Sequence, residues 1–186
     1  MSLDFSVLRL TASGTSTIAR ACLRNLSPVR IALAMVLVAM NQGAVAASAP
    51  MPLTAEQQAV IAPVQALLSA VGAKDKAGLL AQVLPDGNAT LVRNGKILHM
   101  SLAGLADGLS KLFAAHANDQ LAEPMHDPLV LIDHNIAMVW GPYEAWIGGK
   151  MDHCGTNVFN LIQVDGQWKI SGISDNSRKD CPVNAG

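Results

Sequence analysis

Residues 154–174, CGTNVFNLIQVDGQWKISGIS, decide the fold. Two runs rich in Val, Ile, Phe and Trp flank Asp165-Gly166, a two-residue turn of the kind that closes a β-hairpin because both positions tolerate positive φ. The turn sets Val164 opposite Gln167, which pairs Ile162 with Lys169, Asn160 with Ser171, Val158 with Ile173 and Thr156 with Asp175. Asn157, Phe159 and Leu161 then share a face with Trp168, Ile170, Gly172 and Ser174, while Asp175 projects from the other side. The Asn157 face is apolar near the turn and polar away from it, as the wall of a closed pocket with a polar mouth must be.

Working upstream, Leu129 to Ile132 and Ile136 to Ile147 are two further strand-like runs, separated by His134-Asn135 and followed by Gly148-Gly149. Ala89 to Arg93 and Lys96 to His99 flank Asn94-Gly95, a second strong hairpin signal. Helical periodicity takes over elsewhere. Thr54 and Gln57 have capping-box spacing, and Val60, Ile61, Val64, Leu67, Leu68 and Val71 fall on one face of a helix closed by Gly72. Pro63 interrupts that pattern and predicts a kink or restart. Asp75 caps a shorter helix through about Val83, with Leu79, Leu80 and Val83 buried and Pro85-Asp86-Gly87 ending it. Ser101 opens a third helix carrying Leu102, Leu105, Leu109, Leu112 and Phe113. Helices beside a meander of strands give an α+β class with an antiparallel sheet.

The start of the chain reads as a leader. Ile31 to Met40 is an uncharged apolar run behind Arg30, and Ala44-Val45-Ala46 follows as a small-residue cleavage site, so residues 1–46 are expected to be a removable signal peptide. Ten residues cannot cross a hydrocarbon core that needs about 20, so a stable membrane anchor is not expected. The mature protein is expected to be periplasmic or secreted, with residues 47–53 as a lead-in, 54–181 as one domain and 182–186 as a tail. The chain carries 13 basic and 14 acidic residues, and four of the arginines fall in the leader against one aspartate. The remainder is mildly acidic and lacks a basic cluster, which excludes a nucleic-acid partner on electrostatic grounds.

Several stretches together resemble the nuclear transport factor 2-like (SnoaL-like) superfamily: Asp127-Pro128, Ala137 to Glu144, Gly149-Lys150, His153-Cys154-Gly155, Phe159 and Gly166 to Ile170. The nearest branch is the exported bacterial one labelled lumazine-binding. The resemblance covers Thr54 to Cys181 and implies a cone-shaped, curved sheet wrapped on three helices, with a pocket inside and a homodimer through the outer sheet face. The chain departs from the family at Asn157, where relatives often carry Asp, and at Ala145, where an aromatic is usual.

No G-x-S-x-G, P-loop, C-x-x-C or H-E-x-x-H motif is present, which removes the main support for hydrolase, nucleotide-hydrolysing, thioredoxin-like and zincin readings. His153, Cys154, His126 and His134 supply metal-ligand chemistry without metal-site spacing, so neither a metal nor a cofactor is expected. The expected function is binding of a small apolar or aromatic molecule, with Tyr143, His153, Asn157, His99 and Ser174 as candidate contacts. One alternative is a cofactor-free isomerase or dehydratase using Tyr143 and His153, with His99 and Asp127 as further candidate groups. Another is an interaction module built on the outer sheet face. Trp140 and Trp146 alternate onto the face opposite Tyr143, and Trp168 reads as core. Export leaves Cys154 and Cys181 in an oxidising compartment, where the register brings them close enough for a disulfide if the tail turns back.

Overall fold

The computed structural model describes residues 52–182. The expected leader at 1–46, the lead-in up to Met51 and most of the tail lie outside the described residues. Among the described residues no helix is long and apolar enough to cross a membrane.

Helix α1 spans Ala55–Ala73, α2 Lys76–Ala81 and α3 Leu102–Ala115. The strands are β1 Val83–Arg93, β2 Lys96–Ser101, β3 Leu121–Ala122, β4 Leu129–Asp133, β5 Ile136–Ile147, β6 Lys150–Val164 and β7 Gln167–Arg178. The capping box at the start of α1 is complete: Gln57 N donates to Thr54 Oγ1 and Thr54 N to Gln57 Oε1. α1 does not restart at Pro63. Val60, Ile61, Val64, Leu67 and Val71 are all buried on one face, and that packing holds the helix through the lost hydrogen bond. Nor does α1 close at Gly72, because its cap is Lys74 in the left-handed region (φ 56°). The Lys74 ammonium donates to the carbonyls of His116 and Ala117 at 2.7 Å each, fastening the end of α1 to the end of α3.

α2 is shorter than its pattern suggests. Leu79 is buried, Leu80 is exposed, and Val83 already belongs to β1. Pro85-Asp86-Gly87 lies inside β1, where the pairing with β7 jumps from Val83 to Asn88, so the turn residues make an irregularity in a strand rather than a break between elements.

The sheet order is β2-β1-β7-β6-β5-β3, with β4 pairing the other half of the same β5 edge. The curved, unclosed sheet packed against helices is the α+β cone expected. It is mixed rather than wholly antiparallel, because β7 inserts beside β1 and runs parallel to it. A C-terminal strand that joined the sheet only at the end of the meander would have left β1 and β2 as a detached hairpin; the parallel contact makes one sheet. α3 follows the first hairpin, so only two of the three helices precede the sheet.

Two bulges reset which side chains face inward. From the Asp165-Gly166 turn the β6–β7 register runs as expected through Leu161 opposite Ile170, then gains one residue on β7 so that Asn160 pairs with Gly172. Ser171 is the extra residue, and its hydroxyl donates to the Asn160 carbonyl at 3.1 Å. Every later pair is shifted by one: Phe159 faces Ile173, Val158 faces Ser174 and Asn157 faces Asp175. The second bulge lies between β5 and β6, where Ala145 pairs with His153 but Trp146 with Met151, leaving Asp152 extra. The core between sheet and helices is built from Val60, Val64, Val139, Phe159, Leu161 and Ile170, all at 1% exposure or less. Trp168 is half-buried and packs against it.

Candidate functional site

The inward face of β5 carries Ala137, Val139, Tyr143 and Ala145, all buried, whereas Trp140 is 42% exposed on the outer face. This settles the inward side of the strand. With the helices laid across the sheet, a cavity of about 260 Å³ remains between them. Its apolar wall comes from Leu67, Leu68 and Val71 of α1 and from Leu105, Leu109 and Leu112 of α3. Across from the helices stand Phe159, Ile173 and Ala145 of the sheet. Trp146 and Ile147, at the end of β5, also line it.

The polar end gathers Arg93, Glu123, Tyr143, His153, Asn157 and Asp175. Three of these, Tyr143, His153 and Asn157, are contacts the sequence suggests. Asn157 is 2% exposed, and its side-chain amide donates to Glu123 Oε1 at 2.9 Å. Arg93 grips Asp175 with both terminal nitrogens, one to each carboxylate oxygen, the second at 2.7 Å. The Tyr143 hydroxyl donates to the Asn176 carbonyl at 3.0 Å. To do so the ring lies over Gly155, its cross-strand neighbour; a Cβ there would approach Tyr143 Cε1 to 2.7 Å and collide with the Asn176 carbonyl. The His153 ring meets the Tyr143 ring edge-on, with centroids 5.7 Å apart at 86°.

Beside the cavity, His153 Nδ1 bonds Asp152 Oδ2 at 2.8 Å, and Lys179 holds Asp152 through its backbone and side-chain oxygens at 2.7 and 2.8 Å. A carboxylate accepts only, so His153 carries its proton on Nδ1. Lys179 and its neighbours are tied down by a disulfide between Cys154 and Cys181, with Cα atoms 5.7 Å apart, as the sequence leads one to expect. Cys154 is thereby unable to offer a thiolate to a metal. His134 pairs at the surface with Asp133, and among the described residues no three His, Cys, Asp or Glu side chains gather as a metal site requires.

Burial raises the Glu123 carboxyl to about 7; the Asn157 hydrogen bond opposes the rise, the Asp175 charge adds to it, and Arg93 opposes it. Tyr143 is also raised, chiefly by burial and then by the charges of Asp175 and Glu123. Asp152 is lowered by its hydrogen bonds from Lys179 and His153.

His99 and Ser174 do not join this site. Register places His99, Thr90, Ser174, Val158, Trp140 and Leu129 in one row across the outer face of the sheet. His99 is exposed and bonds Thr90 Oγ1 at 3.0 Å. Ser174 is outside because the bulge at Ser171 turns β7 over, and the same step carries Asp175 inward. Asp127 is exposed on the segment before β4 and does not line the cavity. Arg93, Glu123 and Asp175 are members that sequence reasoning missed. The register without its bulge puts Asp175 on the wrong face, Arg93 is legible only as the last residue of a strand run before a turn, and Glu123 follows a strand only two residues long.

No family model matches the chain, and no curated protein matches it. Solved structures do. A nuclear transport factor 2-like protein of unknown function from Shewanella baltica aligns over 70% of this chain and 100% of its own length, at 15% identity and a TM-score of 0.56. A protein of unknown function with a cystatin-like fold from Nostoc punctiforme aligns over 71% and 98%, at 13% identity and a TM-score of 0.56. A third, from Silicibacter pomeroyi, is a nuclear transport factor 2-like protein of unknown function that aligns over 68% and 100%, at 18% identity and a TM-score of 0.54. The chain has the nuclear transport factor 2-like fold, also described as cystatin-like.

Proposed function

We propose that this protein is an exported binder of a small apolar or aromatic molecule, held inside the cone with its polar group at the Tyr143, His153 and Asn157 end. The observation that carries the reading is the cavity itself. An interior space of about 260 Å³, walled on the helix side by leucines and valine and closed at one end by hydrogen-bonded polar side chains, is a little below the range of roughly 300–1,000 Å³ common for ligand pockets. It suits a one- or two-ring molecule. The Cys154–Cys181 bond supports export to the periplasm or beyond, since disulfides persist in oxidising compartments. The signal peptide at 1–46 and membership of the lumazine-binding branch are part of the same proposal. Native mass spectrometry of protein purified from the periplasm tests it: a retained small molecule is expected, and bare protein in every charge state counts against it.

The enzyme alternative draws less from Tyr143, whose proton is committed to Asn176 and whose hydroxyl is harder to ionise than usual. For proton transfer near neutral pH the better-placed group is Glu123.

A second reading concerns assembly. Leu129, Leu131, Ile136 and Trp140 are all at least 42% exposed on neighbouring strands of the outer sheet face. A contiguous apolar face of this kind favours a homodimer. Sedimentation is expected to show a dimer that Trp140→Lys dissociates, and a wild-type monomer at tens of micromolar would contradict it.

A further inference from the structure

The polar end of the cavity has spent several of its hydrogen-bond donors. Tyr143 gives its only proton to the Asn176 carbonyl, the Asn157 amide donates to Glu123, Arg93 is forked onto Asp175, and His153 gives Nδ1–H to Asp152. Beside one amide N–H of Asn157 and the remaining N–H groups of Arg93, these bonds leave acceptor capacity: the second oxygen of Glu123, the lone pairs of the Tyr143 oxygen and the Asn157 carbonyl. The helices add no polar group, for α1 and α3 present only leucines and valine to the space. A molecule that brings donors into the cavity meets the free oxygens of Glu123, Tyr143 and Asn157 directly.

We infer that the cavity selects an apolar or aromatic molecule bearing a protonated primary amine, with the Glu123 carboxylate as its counter-charge and the Tyr143 oxygen as a further acceptor. The inference rests on the proposal that the cavity is a ligand site and adds the class of head group. Two carboxylates against one guanidinium leave the polar end with a negative excess when Glu123 is ionised, and a carboxylate ligand would meet that charge directly. A buried donor-rich head also satisfies acceptors that would otherwise stay unpaired beneath an apolar ligand.

The charged and titratable groups around Glu123 are Asp175 from β7, Arg93 from β1, Tyr143 from β5 and His153 from β6. Because the amine binds the ionised carboxyl, its affinity rises with pH as Glu123 loses its proton, near pH 7. The Glu123 variant below separates the contribution of this carboxyl from that of the other groups in the wall.

Isothermal titration with three isosteric probes tests the inference: 2-naphthylmethylamine, 2-naphthalenemethanol and 2-naphthoate, each at pH 5.5 and 8.5, on the wild type and on Glu123→Gln. At pH 8.5 the amine is expected to bind at least about tenfold more tightly than the naphthoate, with the alcohol between them. The amine should gain affinity from pH 5.5 to 8.5, and most of that gain and of its preference over the alcohol and the naphthoate should vanish in Glu123→Gln. If the alcohol binds and the amine is no better than the naphthoate, the head-group assignment is overturned and the pocket stands; this comparison needs only the wild type. If none of the three binds, the pocket reading and the assignment fall together.

Discussion

The side-chain amide of Asn157 donates to Glu123 Oε1 at 2.9 Å, joining two residues 34 apart in the chain into one polar wall. The contact pins the short β3 segment to the centre of β6 and supplies Glu123 with its nearest stabilising dipole. Replacing Asn157 by Ala removes that dipole from a carboxyl group already held up by burial. The expected outcome is a further rise in the Glu123 titration midpoint, read by carboxyl ¹³C NMR, with a stability loss of about 1–3 kcal/mol in urea. An unchanged midpoint would contradict the assigned contact.

Glu123 also makes stability depend on pH with the less common sign. Its folded value is about 7, above the ordinary 4.5, so the native state holds the proton more firmly than the unfolded chain. The associated destabilisation is absent below pH 4.5, grows as pH rises toward 7, and is complete above that. Glu123→Gln should remove it, making the variant more stable than the wild type at pH 8 by on the order of 2–3 kcal/mol and about equal at pH 4. Urea unfolding midpoints across that range decide the matter; parallel curves would show that Glu123 is not perturbed.

Gly155 gives Tyr143 room to reach Asn176. An alanine Cβ would collide with the Asn176 carbonyl and sit 2.7 Å from the tyrosine ring. Gly155→Ala should therefore cost about 1–3 kcal/mol by overpacking. Tyr143→Phe, which keeps the ring and loses only the bond to Asn176, should cost about 1 kcal/mol. A Gly155→Ala protein as stable as the wild type would contradict the close approach of the Asn176 carbonyl and the tyrosine ring to Gly155.

The disulfide fastens the tail that carries Lys179, and through it Asp152 and His153. Cys181→Ser should lower stability by about 3 kcal/mol on the chain-entropy model. It should also loosen His153, seen as a shift of its ring resonances in NMR. Thiol titration of denatured, unreduced protein should find Cys154 and Cys181 both unreactive; two reactive thiols at these positions would rule the bond out.

Turn chemistry made most of the fold readable. Asn94-Gly95 and Asp165-Gly166 all take positive φ, as their hairpins demand, and the strands on either side follow. Asn157 and His153 were legible as a pair because alternation along one strand is reliable, whereas Tyr143 joins them only because β5 presents its odd-numbered residues inward. Alternation fails at a bulge, and nothing in Lys169-Ile170-Ser171-Gly172 distinguishes a ladder residue from an inserted one. One extra residue there exchanged Ser174 for Asp175 in the cavity wall. Glu123 was illegible for another reason: a two-residue strand has no period, and only its pairing with Trp146 and Ile147 turns the segment toward the site. Trp168, expected to be fully core, is half-buried, so Trp168→Ala should cost about 1–3 kcal/mol rather than unfold the domain.

The most direct measurement is the affinity of 2-naphthalenemethanol for the wild type and for Ala145→Phe. Ala145 is 8% exposed and lines the cavity, so a phenyl ring there takes up ligand space from inside the cone. Calorimetry should show one molecule bound per wild-type chain and at least about a tenfold loss in the variant, with both proteins melting as folded domains. No binding to the wild type, or equal binding to both, would contradict an interior ligand site.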